Sequence, residues 1–144
     1  ISNSNGFIDK TEKYITEEGL NNSSAWIVPA GSISLAMYAS VGKLAILNTN
    51  VATSQAFYNM VFDDDNLRDY VYQRLNKAND SGEWTKLIST GTQANLNADK
   101  VKNFEISIPT NKREMSMISN FFMDLDKLIT LHQRMLLLFL RQFI

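Results

Sequence analysis

The sequence predicts an α+β fold: a mixed or antiparallel sheet with short helices, followed by a long C-terminal helix of coiled-coil type. Three observations carry this. Between Ala25 and Phe62, short apolar runs are separated by turn-forming stretches, Pro29-Ala30-Gly31-Ser32, Ala39-Ser40-Val41-Gly42 and Asn48-Thr49-Asn50. From Asn66 to Ala78, the residues Leu67, Tyr70, Val71, Arg74 and Leu75 recur at i, i+3, i+4 spacing. From Asn111 to Ile144 neither Gly nor Pro interrupts the chain. That leaves room for about thirty residues of helix, roughly 45 Å long.

Taken in order, residues 1–24 are polar and punctuated by Gly, Asn and Ser, and read as a loop with one extended segment at Lys13–Thr16. Ala25–Val28 is a short apolar strand. Ile33–Tyr38 and Lys43–Leu47 form a hairpin with Gly42 in its loop. In Val51–Phe62 the second half alternates as a fourth strand, and Thr53-Ser54-Gln55 is its polar exception, either a turn, a solvated strand end or a functional site. Asp63-Asp64-Asp65 precedes the helix Asn66–Ala78, where the helix dipole favours negative charge; a metal loop is the alternative. Trp84, Leu87 and Ile88 share one face of a second short helix.

The stretch 91–109 joins the two parts. Asn97 suits the N-cap of a short helix over Ala98–Lys102. Phe104, Ile106 and Ile108 alternate with Glu105 and Ser107 as a strand with one buried face, and Pro109 ends it. The expected division is residues 1–109 for the sheet domain and 110–144 for the helix. Asn111 and Glu114 have capping-box spacing. Ile118, Phe122, Leu125, Ile129, His132, Leu136 and Phe139 or Leu140 then step by alternating 4 and 3, the seam of a coiled coil. Met135–Leu140 is apolar on every side. Such a helix outruns a domain of ~110 residues and needs a partner. A helix lying on a membrane surface is the alternative, disfavoured by its few basic residues.

Composition excludes several function classes. A chain of 144 residues, 44% apolar and 20% charged, fits one soluble globular domain with an appendage. No run of about 18 apolar residues would span a membrane. The first residues carry no signal-peptide pattern, and a start at Ile1 rather than Met suggests a processed or cut chain. There are no cysteines, hence no disulfides, thiolate metal sites or cysteine nucleophiles, consistent with a reducing compartment. The single histidine, His132, sits inside the long helix pattern, which argues against a Ser-His-Asp triad or a zinc site. Residues 1–109 carry nine Lys/Arg against twelve Asp/Glu, and residues 110–144 carry five against three. No uniformly basic surface follows, so any contact with nucleic acid must be local.

Certain residues resemble a known family. Gly91-Thr92-Gln93 through Ile108-Pro109 is similar to the end of a target recognition domain in the specificity subunit of type I restriction–modification systems. Ile118-Ser119-Asn120-Phe121-Phe122-Met123-Asp124-Leu125-Asp126-Lys127-Leu128-Ile129-Thr130-Leu131-His132-Gln133-Arg134 resembles the start of that subunit's helical spacer. Gly42-Lys43 and Ala52-Thr53-Ser54-Gln55-Ala56 resemble two weaker blocks, the second usually reading Ala-Thr-Asn-Gln-Ala. The resemblance covers roughly residues 25–136. The chain departs from it at Met115, where Gln usually follows the glutamate, and at Met135–Leu140, where charged residues usually continue.

The resemblance implies one target recognition domain, short at its N-terminus, plus one spacer or dimerisation helix, about half a specificity subunit. It implies a cytoplasmic, non-catalytic protein that reads one half of a bipartite target in double-stranded DNA and docks methyltransferase (modification) subunits, which restriction subunits join. S-adenosylmethionine, ATP and Mg would belong to those partners, with no cofactor or metal in this chain. A homodimer through the helix is expected, with Ile118, Phe122, Leu125, Ile129, Leu136 and Phe139 as its interface. Family members vary most where they touch bases, so the site residues are chosen by chemistry. Lys43, Lys86, Lys100 and Lys102 are candidates for phosphates; Ser40, Thr53, Gln55, Thr92 and Gln93 suit base edges or backbone. Each has the alternative of a solvated surface group, and Gly91-Thr92 that of holding the joint. Tyr38 and Trp84 are expected in the core. Two other readings stay open: a truncated fragment that dimerises without reading DNA, and a carboxylate-metal hydrolase using Asp63–Asp65.

Overall fold

In the computed structural model, which describes residues 1, 4–88 and 96–142, the chain is an α+β protein. Its strands are β1 (Phe7–Ile8), β2 (Trp26–Val28), β3 (Ile33–Ala36), β4 (Leu44–Leu47), β5 (Val51–Thr53) and β6 (Phe57–Met60). Its helices are α1 (Glu17–Asn21), α2 (Asp65–Asp80), α3 (Glu83–Leu87), α4 (Ala98–Lys102) and α5 (Lys112–Arg141). A four-stranded mixed sheet has the order β1-β4-β3-β6, with β1 parallel to β4 and the other pairs antiparallel. A two-stranded antiparallel sheet pairs β2 with β5.

The expected hairpin is present, with Ile33 opposite Ile46 and Leu35 opposite Leu44. Both strands are buried on both faces. On one face Ile33, Leu35, Leu44 and Ile46 meet Val71, Tyr72, Leu75 and Ala78 of α2. Each such aliphatic side chain contributes about 1.5–3 kcal/mol relative to exposure. On the other face, small residues, Ser34 and Ala45, let the second sheet approach. Asn59, opposite Ser34, donates its side-chain amide to the hydroxyl of Thr53 at 2.7 Å, stitching β6 to β5.

Three features differ from expectation. Lys13–Thr16 is not among them: it leads into α1 without pairing, and Thr16, extended at φ −75° and ψ 161°, caps that helix, its hydroxyl accepting from the N–H of Gly19. The two-residue β1, too short to show a period, arises because the outer edge of β4 is open: Ile46 donates to the carbonyl of Gly6 and Asn48 to that of Ile8. Val51–Thr53 forms its own strand, separated from β6 by the turn at Ser54 and Gln55. Residues 104–108 keep the predicted alternation without becoming a strand. Phe104 and Ile106 pack on the core, but the backbone meets α2, whose Tyr70 hydroxyl donates to the carbonyl of Ser107 at 3.1 Å. Among the described residues no strand pairs with them.

The helices form where their caps predict. Asp64 accepts from the N–H groups of Asn66 and Leu67, Asn97 from that of Lys100, and Asn111 from those of Arg113 and Glu114. The long helix α5 runs thirty residues, Lys112–Arg141, and its first half lies along α2. Among the described residues no helix is long and apolar enough to cross a membrane.

A polar clamp fixes the start of α5. Lys112 donates to Asp64 at 3.0 Å, and this hydrogen bond, with those from the N–H groups of Leu67 and Asn66, holds the Asp64 carboxyl below its ordinary range. A carboxylate whose pKa is depressed by folding contributes stability that is present above its unfolded value, about 3.9, and lost as pH falls through the folded value. Asp64→Asn keeps an N-cap acceptor but loses the charge. Its stability deficit in urea unfolding should therefore be present at pH 7 and shrink as the pH falls below about 4, the unfolded value.

Gly42 is required by its surroundings. Its φ is +86°, and a Cβ there would lie 2.6 Å from Asn79 Oδ1 and 2.7 Å from Trp84 Cδ1. Gly42→Ala should cost about 2–4 kcal/mol by strain and overpacking together. The unfolding midpoint in urea measures this.

Candidate nucleic-acid interface and helix face

Three sequence-distant segments meet at one end of the sheets. The bend after β3 is tied to the turn before β6 by Met37 N–H donating to the carbonyl of Ala56 at 2.9 Å. Leu96, just before α4, donates its N–H to the carbonyl of Met37 at 3.1 Å. Gly42 completes the bend, donating to the carbonyl of Ala36, and its bare Cα lets Trp84 of α3 pack against it. The bend 37–43, the turn at 54–56 and the entry to α4 are thus one surface region, backed by a rigid core.

Of the sequence-predicted polar residues, Ser40, Lys43 and Gln55 lie in this region. Ser40 is half-buried in the bend, its carbonyl accepting from Lys43 N–H. Lys43 and Gln55 are exposed. Lys86 is exposed on α3, and Lys102 on α4; Lys100 is half-buried on α4. Thr53 is placed differently: it is buried, and its hydroxyl accepts from Asn59, so it braces the two sheets rather than facing outward. Thr92 and Gln93 lie outside the described residues.

Trp84 is buried as expected, but Tyr38 is not; it is 45% exposed. Alternation explains the difference. Ile33, Leu35 and Met37 point to the α2 side, so Tyr38 falls on the opposite face, one residue beyond Met37 and past the end of β3. A second aromatic, Trp26 at the start of β2, is 46% exposed. It is paired with Thr53, at the strand end that enters the 54–56 turn. Neither aromatic was legible as a surface residue, because local patterning assigns apolar side chains in short strands to a core.

The other side of α3 is closed by an electrostatic and aromatic stack. Arg74 of α2 makes a two-pronged ion pair with Glu83, at 2.9 and 3.2 Å, which holds the Glu83 carboxyl below its ordinary range. The Arg74 guanidinium lies 5.3 Å from the ring centre of Phe104, and Phe104 lies 4.4 Å from Trp84. This stack fastens α2, α3 and the segment after α4 to one another.

The acidic run is engaged in local structure. Asp64 caps α2 and pairs with Lys112, and Asp65 pairs with Arg68 at 2.6 Å. Among the described residues no group of His, Asp and Glu is arranged to hold a metal ion. His132 stands exposed on α5.

Helix α5 presents two different faces. Toward the domain it turns Met115 and Ser119, both buried, then Met123, Asp126 and Thr130 beside Phe7, Tyr72 and Gln73. Gln73 donates to Asp126 at 3.1 Å. The predicted seam lies roughly 100° further round the helix, at 100° per residue. Ile118 is half-buried and opens with Phe122 onto a groove of about 490 Å³ between α2 and α5, lined also by Tyr70, Arg74 and Lys77. Leu125 is exposed at the edge of that contact, and Ile129, Leu136 and Phe139 are 54%, 51% and 57% exposed. Beyond the seam, Met117, Phe121, Leu128, Met135 and Leu138 are exposed as well. Apolar surface therefore wraps about half of the helix circumference.

Comparison with known proteins places this arrangement. The family described as Type I restriction modification DNA specificity domain matches residues 2–137, which takes in both the sheet domain and most of α5. The type I restriction enzyme MjaIX specificity subunit of Methanocaldococcus jannaschii is 31% identical over 122 residues. That alignment covers 83% of this chain and 28% of the relative, so the chain spans little more than a quarter of that protein's length. With the family matched across both structural parts, the chain belongs to the type I restriction–modification DNA specificity domains.

Proposed function

We propose that this chain is a DNA sequence-recognition module of a type I restriction–modification complex, acting in the cytoplasm and performing no chemistry itself. The observation that carries this reading is the family match running unbroken from the sheet domain into α5. One recognition domain reads one half of a bipartite target. The end of the sheets that bears Ser40, Lys43 and Gln55, flanked by Lys86, Lys100 and Lys102, faces the duplex. Lysines set the register on phosphates, while side chains in the bend and turn reach base edges. Methylation with S-adenosylmethionine, and cleavage with ATP and Mg, belong to modification and restriction subunits.

The helix supplies the assembly surface. Ile118, Phe122, Leu125, Ile129, Leu136 and Phe139 form the seam for a second helix, in a homodimer of this chain. The neighbouring apolar strip at Met117, Phe121, Leu128 and Met135 is left for a modification subunit. An apolar face this wide, exposed along some six turns, is the mark of a docking surface. The same face is what favours the second reading, a fragment that associates through α5 without reading DNA.

Salt separates the two. Binding of the chain to duplex DNA should weaken linearly in log–log form with salt, and Lys43→Ala should lower the slope by about one unit. Binding that does not respond to salt would favour the interaction-only fragment. For the seam, light scattering at micromolar concentration should give the mass of two chains. Ile129→Glu combined with Phe122→Glu should weaken association about 100-fold or more, since two charges would be buried without partners. A single-chain mass for the unaltered protein would remove the homodimer. An antiparallel pair would relate the two recognition domains by a two-fold axis, and methylation mapping in cells with a matching modification subunit should then reveal an interrupted palindrome.

A further inference from the structure

We infer that Trp26 and Tyr38 are base-contacting side chains that help determine which DNA sequence is bound. The inference rests on the proposed DNA-reading function and adds residues that chemistry-based selection of polar groups passes over. Both are large aromatics left nearly half-exposed at the same end of the two sheets. Their attachment places one on each side of the turn that carries Gln55. Trp26 is paired with Thr53, the residue entering the turn; Tyr38 follows Met37, whose N–H is bound to the carbonyl of Ala56 leaving it. The exposed Lys43 lies five residues from Tyr38 in the same bend.

The backbone at this point supports the reading. Ala39, next to Tyr38, has a φ of +54°, and is the only non-glycine residue with positive φ among those described. Alanine gains nothing from that conformation and is strained by it. Strain of this kind persists where surrounding structure enforces it, and here the bend is held by the hydrogen bonds of Met37, Gly42 and Lys43. The result is an aromatic side chain held at a fixed angle beside small residues, Ala39 and Ser40, that let a groove edge approach. Aromatic rings offer apolar contact to a thymine methyl, and the Tyr hydroxyl and Trp N–H each add a hydrogen-bond donor.

The test is selection from a pool of random-sequence duplexes by the full chain, followed by affinity measurement on the selected motif. Tyr38→Ala and Trp26→Ala should each relax the motif at one or two positions and weaken binding to the original motif about tenfold or more. Tyr38→Phe should fall between. Ala39→Gly, which removes the strain, should raise the melting temperature while weakening motif binding, a combination that a purely structural bend would not give. Variants that select the unaltered motif with unaltered affinity, while Lys43→Ala lowers the salt slope, would overturn the inference and leave the DNA-reading function standing. That result would assign the aromatic pair to a protein partner. No motif selected by the unaltered chain would count against both.

Discussion

The fold depends on α2 being packed on two sides at once. One side, Val71, Tyr72, Leu75 and Ala78, closes the core over β3 and β4. The other, through Tyr70 and Gln73, holds the segment before α5 and α5 itself. A sixteen-residue helix has little stability alone, so its existence rests on these contacts. Its start and its middle are then used as fixed points. Asp64 at the start both caps α2 and receives Lys112, and Arg74 in the third turn anchors Glu83 and Phe104. Remove α2 and the sheet loses its cover, α3 its ion pair and the long helix its footing.

From this arrangement come two surfaces of opposite character. At the sheet end, the bend after β3 holds Tyr38 and Lys43, the turn before β6 holds Gln55, and β2 begins at Trp26; the bend itself is mounted on β3 and β4, which are buried throughout. Loops on a rigid scaffold can place side chains accurately without being part of the core. Along α5, by contrast, the exposed surface is broad and apolar. The first surface suits a polar polymer read by hydrogen bonds and charge. The second suits another helix, where burial of apolar area supplies the driving force.

The helix also links the surfaces mechanically. Because its first turns are fixed to α2 by Met115, Ser119 and the Asp64–Lys112 pair, the direction of α5 is set relative to the loop end of the sheets. Whatever docks on the seam is thereby oriented with respect to whatever lies against the loops. A flexible linker would not achieve this.

Much of this was determined by the sequence alone. The caps Asn97 and Asn111, the acidic run ahead of α2, the uninterrupted run after Asn111 and the β3–β4 hairpin were legible because each depends on residues within a few positions of one another. The family was legible from local motifs for the same reason. What the sequence left open depended on distant partners. Whether residues 104–108 became a strand turned on a distant pairing partner, and among the described residues none pairs with them. Whether Tyr38 lay inside or outside turned on where β3 ended, and Thr53 could be assigned as an internal brace only once Asn59 lay opposite Ser34. On α5 the apolar heptad spacing was readable, but the intramolecular face through Ser119, Asp126 and Thr130 was not. Apart from Met115 and Met123 its residues are small or polar, and only the approach of α2 makes that stripe a contact. Periodicity records which side of an element is apolar; the tertiary structure decides which neighbour, if any, each side meets.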